Sequence, residues 1–98
     1  MSNKTFGGYI REARESKKLP LRKVAAHLDI DTSTLSKIER GERSATPEFL
    51  KPLATILSLS LKEVQTNYIQ ERIIKDFGEM EHLSDGLKAT EKLINKKI

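Results

Sequence analysis

Ninety-eight residues, 37% hydrophobic and 33% charged, allow one small domain with a thin core and an appendage. There is no cysteine, which excludes disulfide frameworks and thiolate metal sites. No apolar run approaches membrane-spanning length and no signal-peptide core opens the chain, so a cytoplasmic protein with no membrane partner is expected. The formal net charge is +4. Residues 1–60 hold 11 Lys and Arg against 7 Asp and Glu, and residues 61–98 hold 7 of each. The whole excess lies in the first part, which favours a nucleic acid as partner.

Residues 1–4 are expected to be disordered. A first helix should run from Thr5 or Phe6 to Lys17, with Phe6, Tyr9, Ile10 and Ala13 on one buried stripe. Gly7 and Gly8 weaken its first turn. Pro20 pre-sets the entry to a second helix over residues 21–28. A third helix should span residues 32–40. Val24 and Leu28 stand one turn apart on the second helix, and Leu35 and Ile38 on the third, so each helix buries one face. Ala25 keeps the crossing close. Asp29 falls at the turn, where the backbone needs positive φ. Asp31 can cap the third helix through the amide of Ser33 or Thr34, and Gly41 is its C′ residue. Thr46-Pro47-Glu48 reads as cap, proline and early acid at the start of a fourth helix. Pro52 cannot donate to the carbonyl of Glu48, so that helix should begin irregularly. Ser60 to Glu63 form a capping box that opens a fifth helix, running to Phe77 and ending at Gly78. Val64, Tyr68 and Ile69 are expected to close the core. A last helix over residues 84–97 places Leu83, Leu87, Ile94 and Ile98 near one face.

The stretch LRKVAAHLDIDTSTLSKIERG, residues 21–41, resembles the helix-turn-helix of the Cro/cI-type (XRE) DNA-binding regulators. The resemblance extends through FGGYIREARESKKL before it and KIERGER and TPEFLKPLATILSLSLKEV after it, from Phe6 to about Val64. It implies an all-α, five-helix, lambda-repressor-like DNA-binding domain over residues 1–64. Residues 65–98 are then a C-terminal helical extension. In this family the second helix of the motif enters the major groove. Carried over residue by residue, Thr32, Ser33 and Lys37 fall on base-reading positions, with Ser36 as a fourth. Arg22, Lys23, Arg40 and Arg43 are the implied phosphate contacts. The chain departs from the family at Pro20 and Leu21, where members often carry Ser or Thr and then Gln, so Arg22 is the substitute contact at that corner. The family pattern also pairs an arginine late in the first helix with the glutamate of the I-E-R-G run, here Arg14 and Glu39, as a scaffold that fixes the first helix against the third.

Catalysis finds no support. His27 and His82 lack metal-ligand spacing, and Gly7-Gly8 lacks the strand, lysine and spacing of a phosphate-binding loop. No enzyme activity, metal, cofactor or small-molecule ligand is expected. The extension carries Ile73, Ile74, Phe77, Leu87 and Ile94, which would expose a large apolar surface on a monomer. These five are the expected dimerisation residues, because a two-fold dimer buries such a face and suits an operator of two half-sites. The resulting expectation is a homodimeric regulator on double-stranded DNA, repressing by occupancy of a palindromic operator. Two alternatives share the layout: a restriction-modification controller protein, and an antitoxin that binds its own promoter and uses its tail on a toxin.

Overall fold

The computed structural model describes residues 5–97. The expectations for residues 1–4 and for Ile98 lie outside them. The described chain is all-helical, with α1 at Phe6–Ser16, α2 at Leu21–His27, α3 at Thr32–Glu39, α4 at Leu50–Leu57, α5 at Leu61–Phe77 and α6 at Leu83–Lys97. Each of the first five helices contributes to one core. Phe6 and Ile10 come from α1, Val24 and Ala25 from α2, Leu35 and Ile38 from α3, Leu53 and Leu57 from α4, and Val64 from α5. Ala25 is buried, as its place at the α2–α3 crossing requires.

Four helices end on the same device. In each, a residue in the left-handed region lets the chain turn back onto the last carbonyls. These residues are Lys18, Asp29, Gly41 and Ser58, with φ of 57°, 60°, 78° and 54°. The amide after each bonds a carbonyl five residues back: Leu19 to Arg14, Ile30 to Ala25, Glu42 to Lys37 and Leu59 to Ala54. Only one of the four is glycine, so three side chains carry the cost of that conformation, about 1–2 kcal/mol each.

The start of α4 is irregular, as Pro52 requires, with the expected proline and early acid but without the expected cap. Thr46 makes no side-chain cap, and Pro47–Phe49 forms a single 3₁₀ turn that leads into Leu50. The tight turn accommodates Pro52, which has no amide hydrogen for an α-helical bond to Glu48. At α5 the Ser60 hydroxyl accepts from the Glu63 amide at 3.2 Å. The reciprocal arm of the box is diverted, because the Glu63 carboxylate accepts from the Tyr9 hydroxyl at 3.4 Å.

Helix α5 runs unbroken through Val64, so the expected division at residues 64/65 falls inside it. Its contacts with the rest of the chain continue well past that point. Tyr68 packs edge-on against Phe6 with centroids 5.5 Å apart, and its hydroxyl donates to the Ala45 carbonyl at 3.1 Å. Glu71 accepts from the Phe6 amide at 2.9 Å, adding a second cap to α1 beside Thr5, whose hydroxyl accepts from Gly8. Arg72 donates to the Ser44 hydroxyl at 3.3 Å. Ile69, expected in the core, is 53% exposed. It stands five residues from Val64, off the inward face of a 3.6-residue helix. Beyond Arg72 the chain is mostly exposed, including Ile74, Phe77, Leu87, Leu93 and Ile94. Among the described residues, no helix is long and apolar enough to cross a membrane.

Candidate nucleic-acid interface

The α2–turn–α3 unit presents one polar face. Asp31 is extended, and its carboxylate accepts from the Thr34 amide at 2.7 Å. Those Thr34 hydrogen bonds, then the charges of Arg43 and Lys37, hold the Asp31 carboxyl below the usual aspartate range. The cap stays ionised at neutral pH and fixes where α3 begins. From that start, Thr32, Ser33, Ser36, Lys37 and Arg40 follow the helical repeat along one side. Thr32, Ser33, Lys37 and Arg40 are exposed and Ser36 is half-buried. Leu35 and Ile38, on the other side, are in the core.

What holds α3 in place comes from α1. The Arg14 guanidinium donates to both oxygens of the Glu39 carboxylate, from Nε at 2.8 Å and from Nη2 at 3.0 Å. Its Nη1 donates to the Leu19 carbonyl at 2.9 Å. The two side chains are 13% and 4% exposed. The hydrogen bond to Glu39 raises the Arg14 pKa further, so the guanidinium keeps its charge. Gly7 completes the joint. A Cβ there would stand 2.0 Å from the Ile38 carbonyl oxygen and 2.8 Å from that of Glu39. The glycines of the first turn were expected only to weaken α1. Gly7 is instead what lets α1 lie directly on the last carbonyls of α3.

The cations stand around this face. Arg22 and Lys23 are exposed in the first turn of α2, which follows Pro20 and has no side-chain cap. Arg43 is exposed just beyond the Gly41 turn. Arg40 is exposed but paired within the chain, donating to Glu42 from Nε at 2.9 Å and Nη2 at 3.2 Å and to the Ser36 hydroxyl from Nη1 at 2.9 Å. Glu42 is a member of the site that the sequence does not point to. Its only sequence signal is an opposite charge two residues from Arg40 across a glycine. Of the five extension residues, Ile73 is half-buried and Ile74, Phe77, Leu87 and Ile94 are exposed, and Ile74 lines a groove shared with Gly41 and Arg43. His27 is exposed on α2, and among the described residues no group of three or more His, Cys, Asp or Glu side chains stands together.

A family model described as helix-turn-helix matches residues 10–64. A curated relative, the uncharacterized HTH-type transcriptional regulator RghRB of Bacillus subtilis, is 38% identical over 55 residues. That match covers 55% of this chain and 40% of the relative, so the chain spans about two fifths of its length. Among solved structures, the restriction-modification controller protein C.AhdI of Aeromonas hydrophila is 32% identical, with a TM-score of 0.55, over 60% of this chain and 86% of that one. A structure of the clp gene regulator ClgR of Corynebacterium glutamicum is 25% identical, with a TM-score of 0.58, over 68% of this chain and 87% of its own. A second ClgR structure, 22% identical with a TM-score of 0.60, covers 95% of this chain and shows a likeness of fold that takes in the extension.

Proposed function

The chain belongs to the helix-turn-helix family of XRE-type transcription regulators, and from that premise we propose that it represses by occupying a palindromic operator as a homodimer. The observation that carries the reading is the exposed polar face of α3, held from behind by Arg14, Glu39 and Gly7. A rigid helix with small hydroxyls and one long cation suits insertion into the major groove, with its N-terminal residues at the base edges. Lys37 donates to guanine O6 and N7. Thr32, Ser33 and Ser36 hydrogen-bond neighbouring bases, and the Thr32 methyl can meet a thymine methyl. Arg22, Lys23, Arg40 and Arg43 take phosphates and set the register.

Within the extension, the side of α5 turned away from the core, together with α6, is the dimerisation element in this reading. On α5, Thr66, Ile69, Ile73 and Phe77 recur at three- and four-residue steps on the side away from Val64, Tyr68 and Glu71. On α6, Leu83, Leu87, Thr90 and Ile94 do the same. A fully buried side chain of this size contributes about 1.5–3 kcal/mol. Ile73, Ile74, Phe77, Leu87 and Ile94 from each of two subunits can therefore offset an association cost of about 4–15 kcal/mol. Two copies related by a two-fold axis present their α3 helices to half-sites one helical turn apart, and a bound dimer excludes polymerase.

Likeness to C.AhdI over 86% of that chain supports a second reading, a restriction-modification controller protein. Selection of bound sequences from a random duplex pool tests both. The expected product is an inverted repeat with half-site centres about 10–10.5 base pairs apart. Occurrence of that repeat upstream of restriction and modification genes would favour the controller. A pool with no enriched sequence would overturn sequence-specific binding altogether.

A further inference from the structure

The α3 helix ends in a turn that builds a clamp. The Gly41 amide bonds the Ile38 carbonyl at 3.1 Å, and the Glu42 amide bonds that of Lys37 at 2.8 Å. With Gly41 left-handed, this two-bond closure fixes the backbone of residue 42 beside the last turn. Glu42 then presents its carboxylate to Arg40 from a set position. Both carboxylate oxygens accept from one edge of the guanidinium, and Nη1 donates to Ser36 one turn back. Three of the five guanidinium hydrogens are used. One on Nη1 and one on Nη2 remain, directed away from Glu42 and Ser36. The Arg40 hydrogen bond, then its charge, holds the Glu42 carboxyl below the usual glutamate range, so Glu42 stays ionised at neutral pH.

Stability does not account for this arrangement. The two side chains are 50% and 55% exposed, and pairs that open to water contribute little to folding. The geometry acts on what Arg40 can offer a polyanion. A free arginine beside a recognition helix attracts any phosphate on any sequence. A clamped one has its charge paired and two hydrogens left to offer.

We infer that Glu42 is a positioning residue for specificity, which holds Arg40 for one registered phosphate contact and withholds its charge from non-specific DNA. The inference rests on the DNA-binding reading above and adds a residue to it. Glu42 touches no base, and its effect passes through Arg40. Removing its charge should free the guanidinium to follow phosphates at large, so non-specific binding gains a counterion-releasing cation.

The test uses the full chain, its Glu42→Gln and Arg40→Ala variants and the double variant. Each is titrated at several salt concentrations on the selected operator and on a random-sequence duplex. Glu42→Gln should steepen the salt slope on random DNA by about one unit and tighten that binding on the order of fivefold at 0.1 M salt. The gain on the operator should be smaller, so the operator-to-random ratio falls. In the Arg40→Ala background, Glu42→Gln should leave the slope where it is. An unchanged slope in the single variant would overturn the inference. So would an equal change in both backgrounds, since Glu42 would then act as a bulk charge. If the parent bound the operator with normal salt dependence in either case, the DNA-binding reading would stand. A parent that bound neither duplex in a salt-dependent way would remove that reading and the inference together.

Discussion

Arg14→Ala tests how α3 is held. The substitution removes two charge-assisted bonds to Glu39, at 2.8 and 3.0 Å, and the bond to the Leu19 carbonyl. It also leaves the Glu39 carboxylate with its positive partner gone in a position 4% exposed. The second effect is the larger, because an uncompensated buried charge costs about 3–5 kcal/mol. A small domain has a total stability of about 5–15 kcal/mol, so the change consumes a large share of it. Urea denaturation should show a lower midpoint with an unchanged slope, and thermal melts should fall by more than about 10 °C. Arg14→Met with Glu39→Met removes both charges and keeps apolar bulk, and should recover most of the loss. Melts of Arg14→Ala that superimposed on the parent would refute the reasoning, as would a double variant less stable than the single one.

Gly7→Ala should destabilise by about 1–3 kcal/mol, since the new Cβ meets the Ile38 and Glu39 carbonyls and no flexible side chain can yield; denaturant melts measure it, and a melt like the parent's would show that α1 can lift off α3 freely. Arg43→Ala should weaken binding to all sequences alike and lower the salt slope by about one unit; a salt titration with the parent's slope would remove Arg43 from the phosphate contacts. Ile73→Glu with Phe77→Glu should leave the helical content intact, shift the sedimenting species to a monomer and lower operator affinity; a variant that still sedimented as a dimer would place the interface elsewhere. These substitutions are preferable to truncation after Val64, which would cut α5 and discard the Tyr68 and Glu71 contacts.

Much of the fold is legible wherever a short-range pattern determines it. The pairs Phe6 and Ile10, Val24 and Leu28, and Leu35 and Ile38 repeat at helical spacing, and all six are in the core. Asp29 announces its left-handed turn because aspartate tolerates that region. Lys18 and Ser58 adopt it too, but neither residue type signals it in a sequence. The role of Gly7 depends on carbonyls some thirty residues away, and helix propensity registers only its cost within its own helix. Glu71 and Arg72 are polar residues whose partners, Phe6 and Ser44, are distant in sequence, so α5 reads as leaving the domain sooner than it does. Glu42 is illegible in the sequence for a related reason. Charges two apart do not face each other on a helix, and only the Gly41 turn brings this pair together.

The central claim, that α3 reads base edges, is tested most directly by Lys37→Ala on two DNAs. Affinity is measured at one fixed salt concentration for the selected operator and for a random duplex of equal length. Lys37 is exposed on the polar face, one turn beyond Ser33, and contributes nothing to the core, so folding should be unaffected. A loss of about 1–3 kcal/mol is expected on the operator and a much smaller loss on random DNA. An equal loss on both would mean that Lys37 meets only phosphate, and would contradict the placement of α3 in the major groove.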